Sequence, residues 1–401
     1  MTNERSAATG AGPRRLLLDP GERVRVLVVD DSVVARRLVS EGLGDTREIE
    51  VVGVAASGQI ALQKFDQLQP HVVTLDVEMP GLDGLETLRL LRQRNPALVV
   101  IMVSSITLTG AKVALEALHL GAADYLAKPQ SSSRAESVER LRSDLVPKIL
   151  QFFSWRSAGA VSGRPVAEAH APAAAFTARP LAETSGREEG RALASSGWIP
   201  AKPPEVLAIG VSTGGPNALP ELLSQLPGDY PLPVLIVQHM PPLFTKLLAV
   251  RLNSLSPLEV LEAEDGLPIK RGRVILARGD YHLRAERQGR QVVARLDQGP
   301  PENSCRPAVD VLFRSVAQVW GGASLAVVLT GMGCDGCAGA RLIRSAGGAI
   351  LVQDEASSVV WGMPGAVARE GLAHRIVPLS GMAAAVTEAT LAGRSRWPAA
   401  S

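Results

Sequence analysis

Short apolar runs rich in Val, Ile and Leu recur along this chain, each followed by a segment of helical periodicity. This alternation restricts the fold more than any other feature. Between residues 23 and 155 the runs are VRVLVV from Val24, IEVVGVA from Ile49, VVTL from Val72, LVVIMV from Leu98 and DYLA from Asp124. Amphipathic segments stand between them over Ser32 to Leu43, Gln59 to Leu68, Leu85 to Arg94 and Ala111 to Leu120. A last helix is expected before Trp155, kinked or shortened at Pro147. A strand that is apolar at every position is buried on both faces, and parallel neighbours need a crossover helix between them. The expectation is a (βα)5 domain over 23–155.

The plan repeats in a second domain, expected over 204–394, with strands VLAIG, VLIVQ, VILA, SLAVVL, AILVQ and RIV. Helices are expected at Phe244 to Asn253, Pro307 to Trp320, Ala338 to Ser345 and Met363 to Glu370. Tyr281 to Ala285 and Gln291 to Leu296 flank a polar ERQGR turn and read as a β-hairpin inserted in a doubly wound, mostly parallel sheet. Residues 1–22 are expected to be a disordered tail. Residues 156–203, dominated by Ala, Pro, Gly, Ser and Arg, are expected to be a flexible linker, and 395–401 a second tail.

Charge narrows the function. Forty-two Lys+Arg against forty Asp+Glu leave a formal +2 with the bases scattered, so no nucleic-acid footprint is expected. No membrane insertion is expected either, since the apolar part of residues 1–21 is too short for a signal peptide. Three cysteines cannot all pair, which fits a reducing, cytoplasmic setting.

In a parallel sheet the carboxyl edge gathers the residues that follow each strand. In the first domain these are Asp30 and Asp31, Asp76, Ser104, and Lys128 with Pro129. Three carboxylates at one place repel unless a cation sits among them, and oxygen ligands suit Mg2+ with positions left for a phosphoryl group. The VVDDS, DVEMPGLDGLE, MVSS and AKP runs resemble the receiver domain of two-component response regulators, a flavodoxin-like fold. The resemblance implies Asp76 as acceptor of a phosphoryl group from a histidine kinase. It implies Mg2+ held by Asp31, Asp76 and the Glu78 carbonyl with help from Asp30, and Ser104 and Tyr125 as switch hydroxyl and switch aromatic beside Lys128. Tyr125 also reads as a plain packing residue.

In the second domain VLAIGVSTGGPN takes a buried strand through a tight turn into a helix, with Ser212 at the turn. A hydroxyl there faces backbone N–H groups and a helix N-terminus, which makes Ser212 a candidate nucleophile; the same pattern fits a phosphate-cradling loop. His239 follows the VLIVQ strand at the same edge. His374 precedes RIV and belongs at the opposite edge, and His282 opens the hairpin. Asp335, in LTGMGCDG after another strand, is either an orienter of the imidazole or a cap for the helix that follows. Cys334 and Cys337 form a single CxxC, weak grounds for a metal or redox site.

GVSTGGP, VQHMPPLFT, EAEDG, NSCRPAVD, LTGMGCDG and QDEASSVVWGMP resemble the catalytic domain of the chemotaxis protein-glutamate methylesterases, the CheB family. The resemblance implies a Ser212, His239, Asp335 triad, with Thr213 and Met332 at positions tied to the oxyanion and the histidine environment. It implies hydrolysis of glutamate γ-methyl esters on chemoreceptors, deamidation of receptor glutamines in some members, and no cofactor for the ester chemistry. Cys305, Cys334 and Cys337 depart from the family pattern. An unphosphorylated receiver packed over the Ser212 edge would block large substrates. The alternatives are a nucleotide sensor, disfavoured because GVSTGGPN lacks the G-x-G-x-x-G spacing, and a non-catalytic scaffold.

Overall fold

Every strand expected from the apolar runs forms, and these strands fall into two separate parallel sheets. The computed structural model describes residues 16–105, 107–129, 133–156 and 200–395. The core of the expected linker, 157–199, and the C-terminal residues 396–401 lie outside the described residues, as do residues 1–15 of the expected tail.

The N-terminal domain runs β1 (Leu16–Leu18), β2 (Val24–Val29), α1 (Val33–Gly44), β3 (Ile49–Ala55), α2 (Gly58–Leu68), β4 (Val72–Asp76), α3 (Gly84–Arg94), β5 (Val99–Ser104), α4 (Leu108–His119), β6 (Asp124–Ala127), α5 (Arg134–Leu150) and β7 (Phe153–Trp155). Its five-stranded sheet has the order β3-β2-β4-β5-β6, all parallel. Helices α1 to α5 each open on a Ser, Asp or Thr whose side chain accepts an N–H of the first turn, so their starts are fixed locally.

One expectation fails here, and so does one of the two forms of another. Leu16–Leu18, placed in the disordered tail, instead forms β1 and pairs in parallel with β7, with Leu18 buried. The pairing partner lies more than a hundred residues away, so no local signal announces it. Pro147 does not shorten α5, which continues to Leu150. Near a helix end proline forfeits one backbone hydrogen bond, a loss the buried Leu145 and Ile149 offset.

The C-terminal domain runs β8 (Val206–Val211), α6 (Gly215–Ser224), β9 (Val234–Gln238), α7 (Phe244–Leu255), β10 (Glu259–Glu262), β11 (Arg273–Leu276), β12 (His282–Gln288), β13 (Gln291–Asp297), α8 (Val309–Trp320), β14 (Ser324–Val328), α9 (Cys337–Ser345), β15 (Ala349–Gln353), α10 (Met363–Arg369), β16 (Arg375–Val377) and α11 (Leu379–Ser395). Its seven strands are all parallel in the order β10-β11-β9-β8-β14-β15-β16. The chain leaves the central β8 first toward β9 and later returns to its other side as β14, and the crevice at such a reversal is where open α/β sheets bind ligands. The hairpin forms, but with a tighter turn than the sequence suggested: β12 continues to Gln288 while β13 begins at Gln291 as expected, leaving Gly289 and Arg290 at the tip with Gly289 at φ 58°. Cross-strand ion pairs Arg284–Asp297 and Arg295–Glu286 account for polar residues inside the strands. The short edge strand β10 and the Ala-rich α11 carry too weak a period to be read from sequence.

The two domains share one apolar cluster that runs from the N-terminal sheet through α4 into α6 and α7. Among the described residues no helix is long and apolar enough to cross a membrane.

Candidate active site

Ser212 is the first residue past β8, the central strand. Its N–H donates to the Thr330 carbonyl (3.0 Å), and its own carbonyl accepts from Gln238 Nε2 (3.0 Å) and from the Gly215 N–H (2.8 Å). Neighbouring glycines make room for it: a Cβ on Gly331 would stand 2.9 Å from Ser212 Cβ, and one on Gly215 would collide with Gln238 Oε1. Gly214 adopts φ 86° and starts α6 with no side-chain cap. Among the described residues the N–H groups of Thr213 and Gly214 take no hydrogen-bond partner. Together with the helix N-terminus they form a positive pole beside the hydroxyl.

His239 is the first residue past β9, adjacent to β8, and its N–H donates to the Val211 carbonyl (3.3 Å). Its Nε2 meets Asp335 Oδ2 at 2.7 Å. Asp335 comes from the loop between β14, on the other side of β8, and α9. The three groups expected at one sheet edge are therefore at one edge. Asp335 is buried and saturated with donors: the N–H of Val309 (2.6 Å), Asp310 (3.0 Å) and Gly336 (2.9 Å), and Asn303 Nδ2 (2.9 Å). It does cap a helix, but the one before it: Val309 and Asp310 are the first turn of α8. Burial would raise the Asp335 pKa, yet the imidazole and the α8 amides outweigh it and hold the carboxyl below its ordinary value.

With Nε2 given to the carboxylate, the second ring nitrogen, Nδ1, faces Cys305 Sγ at 3.5 Å. No hydrogen bond links Ser212 Oγ to the imidazole among the described residues. Burial alone would lower the His239 pKa, but the bonds to Asp335 and Cys305 prevail and hold it at about 9. The two rival histidines of this domain are engaged by backbone. His282 is buried with Nε2 against the Pro300 carbonyl and Nδ1 accepting the Ala308 N–H, and His374 Nδ1 accepts from Ile350 at the amino edge of the sheet.

In the N-terminal domain the residues past β2 and the end of β4 converge as expected. Oxygens of Asp30, Asp31 and Asp76 lie within 4.8 Å of one another. Lys128, following β6, reaches Asp30 (2.8 Å) and Asp76 (2.9 Å). One ammonium against three carboxylates leaves a strongly negative pocket of oxygen donors, a set that fits Mg2+. Burial, reinforced by Asp30, raises the Asp76 pKa despite Lys128, and Asp30 and Asp76 raise that of Lys128 against the effect of its own burial. Ser104 is buried at the end of β5 with its hydroxyl on the Ser105 carbonyl (3.1 Å). Glu78, two residues past Asp76, has an exposed side chain.

The remaining predicted residues sit between the domains. Tyr125 is buried and stacks on Phe244 of α7, with ring centroids 4.6 Å apart. The Thr213 hydroxyl donates to Asp124 Oδ2 (2.9 Å), a carboxylate also held by Lys148 (2.7 Å), and Asn217 Nδ2 donates to the Leu118 carbonyl (2.8 Å). Met332 packs against the apolar cluster of β2, α1 and α5. Sequence reasoning missed Asn303, the α8 amides, Cys305 and Asp124. Of these only the NSCRP turn left a trace, since asparagine tolerates the left-handed backbone found at Asn303 (φ 52°).

A doubly wound domain with an acidic pocket at its carboxyl edge, joined to a larger one with a serine, an imidazole and an acid at its own, defines a class: a switch domain coupled to a hydrolase-like domain. The response regulator receiver domain family matches residues 26–139, and the CheB methylesterase family matches residues 207–386. The chain is 49% identical over 362 residues to a protein-glutamate methylesterase/protein-glutamine glutaminase of Trichodesmium erythraeum, covering 90% of this chain and 97% of that one. It is 48% identical to the protein of the same name from a Nocardioides species, covering 89% and 92%. The solved catalytic domain of Thermotoga maritima CheB methylesterase is 42% identical, covers 46% of this chain and 98% of its own, and superposes with a TM-score of 0.46. The chain belongs to the CheB methylesterase family.

Proposed function

We propose that this protein is a phosphorylation-activated protein-glutamate methylesterase, a Ser-His-Asp hydrolase that converts glutamate γ-methyl esters on the cytoplasmic helices of chemoreceptors to glutamate and methanol. The observation that carries the reading is His239, bonded to a saturated, buried Asp335 and standing at the strand end next to Ser212. Because Asp335 takes Nε2–H, Nδ1 is the nitrogen left to accept the serine proton. The alkoxide adds to the ester carbonyl, and the oxyanion falls to the N–H groups of Thr213 and Gly214 and the α6 N-terminus, the Thr213 hydroxyl being engaged by Asp124. Collapse expels methoxide, which takes its proton from the imidazolium. Water then repeats the sequence and frees the acid. A γ-amide enters the same acyl intermediate with ammonia as leaving group, so receptor glutamine deamidation belongs to the reading. The ester chemistry calls on no cofactor.

Asp76 is the proposed phosphoacceptor, with a chemotaxis-type histidine kinase as donor in the cytoplasm. Asp30, Asp31, Asp76 and the Glu78 carbonyl would hold Mg2+, which when bound neutralises the phosphoryl oxygens; Lys128 and Ser104 would meet those oxygens from the protein. For control, the Thr213–Asp124, Asn217–Leu118 and Tyr125–Phe244 contacts support a receiver that rests against the nucleophile turn and keeps large substrates away until Tyr125 moves. Methanol release from radiolabelled methylated receptor tests the activity: wild type releases label and Ser212→Ala does not. Equal rates from the 202–401 fragment and the full unphosphorylated chain would defeat the occlusion.

A further inference from the structure

A second potential nucleophile faces the imidazole, and its position is built. Residues Glu302 to Cys305 form a tight turn closed from both sides, Glu302 N–H to the Cys305 carbonyl (3.1 Å) and Cys305 N–H to the Glu302 carbonyl (2.9 Å), with Asn303 and Ser304 both left-handed at φ 52° and 62°. The turn is bolted down at two points. The Glu302 carboxylate grips the Arg314 guanidinium of α8 in a two-point ion pair (3.1 and 2.5 Å), and Asn303 Nδ2 donates to both Asp310 and Asp335 (2.9 Å each). Held this way, Cys305 Sγ lies 3.5 Å from His239 Nδ1, and the ring's other nitrogen rests on Asp335. Sulfur, imidazole and carboxylate thus form a continuous relay of the kind that activates a thiol.

We propose that Cys305 is an oxidation-sensitive modification site, whose conversion to a sulfenic acid by hydroperoxides stops hydrolysis by obstructing His239. The inference rests on His239 serving as base for Ser212. In the step itself the thiol proton passes to Nδ1 and the thiolate attacks one peroxide oxygen. The S–O bond forms as the O–O bond breaks, and the departing hydroxide, or the alkoxide of an organic hydroperoxide, takes the proton from the imidazolium to leave as water or alcohol. Sulfur is oxidised by two electrons and the peroxide is reduced by two; an external dithiol reverses the change. The oxidised group adds an oxygen where the serine proton must arrive. The other thiols lack this arrangement: Cys337 is buried, with burial and Glu370 pushing its thiol up to about 12, and Cys334 is exposed on the loop before α9. Cys305 is half-exposed, open to a small oxidant.

The test treats the full-length protein with graded hydrogen peroxide, traps sulfenic acid with dimedone, locates the adduct by peptide mass spectrometry and measures methanol release in parallel. The expected result is labelling of Cys305 ahead of Cys334 and Cys337, with activity lost in step and recovered with dithiothreitol. Under the same dose Cys305→Ser keeps its own untreated rate, Cys334→Ser is inactivated as wild type is, and His239→Asn labels at Cys305 several-fold more slowly. Labelling of Cys334 with Cys305 untouched, or Cys305→Ser losing activity as fast as wild type, overturns the proposal. Labelling in Ser212→Ala, which has no activity to lose, separates the thiol chemistry from the hydrolase reading: an active Ser212→Ala would sink that reading and leave the adduct result standing.

Discussion

The two domains place polar groups at the same location, the carboxyl edge of a parallel sheet, and stabilise negative charge there in opposite ways. Around Asp76 the carboxylates crowd one another, and although Lys128 and the N–H groups of Val77 and Ser32 answer them, burial still raises the Asp76 pKa and the pocket stays short of positive charge. Around Asp335 a second carboxylate, Asp310, shares the Asn303 amide, but Asp335 is also met by three backbone amides and an imidazole, and its pKa falls. The first arrangement is incomplete by construction and responds to whatever cation or phosphoryl group arrives. The second is satisfied within the protein and holds its geometry before substrate comes. On the proposed function a switch and a catalyst differ in this respect: one leaves its charge unbalanced, the other fixes it in advance.

The sharpest way to break this contrast is to remove members of the second arrangement. Ser212→Ala or His239→Gln should lower methanol release by about 10³-fold or more, as loss of a triad member does elsewhere. Retention of a tenth of the wild-type rate would dissolve the catalytic half of the comparison. In the first arrangement Asp76→Asn should abolish labelling by a small phosphodonor while the basal esterase rate stays within about two-fold, a difference under 0.5 kcal/mol. A drop in basal rate would show the two edges to be less independent than the geometry says.

Acidity gives a finer test. A base held at about 9 must lose its proton to work, so the rate per enzyme should climb with pH up to about 9, and Cys305→Ala should move that rise toward lower pH. The linked stability has the opposite sign. A histidine whose folded pKa of about 9 exceeds its unfolded 6.5 stabilises the fold fully below 6.5, and this contribution is lost as pH rises through 9. Urea midpoints of wild type and His239→Gln should converge over that window, and parallel curves would reject the shift. The smallest effect is expected at Asn217→Ala, which deletes one hydrogen bond to the Leu118 carbonyl. A net loss of about 1 kcal/mol at the domain contact should raise unphosphorylated activity about five-fold.

The strands of both sheets and the edge where Ser212, His239 and Asp335 meet were legible because a parallel sheet converts strand order into position without side-chain detail. The lone serine, histidine and aspartate needed only to follow β8, β9 and β14. What escaped depends on distant partners. Leu16–Leu18 is a strand only because Phe153–Trp155 lies beside it, and Asp335 caps α8, whose start lies twenty-six residues upstream of the carboxylate. The ring nitrogen facing Cys305 is fixed by a turn of two left-handed residues that no spacing rule announces. The Thr213 hydroxyl is bonded to the other domain, a contact between residues eighty-nine positions apart that no local pattern announces.

That last bond sets how control and chemistry can diverge over time. Asp124 is the immediate neighbour of Tyr125, and Thr213 of Ser212, so the proposed switch aromatic and the proposed nucleophile each lie one peptide unit from this shared bond. On the proposed function, a lineage that retunes its off state at Asp124 or Thr213 also nudges the Ser212 hydroxyl. On that reading, leakiness and turnover are inherited together.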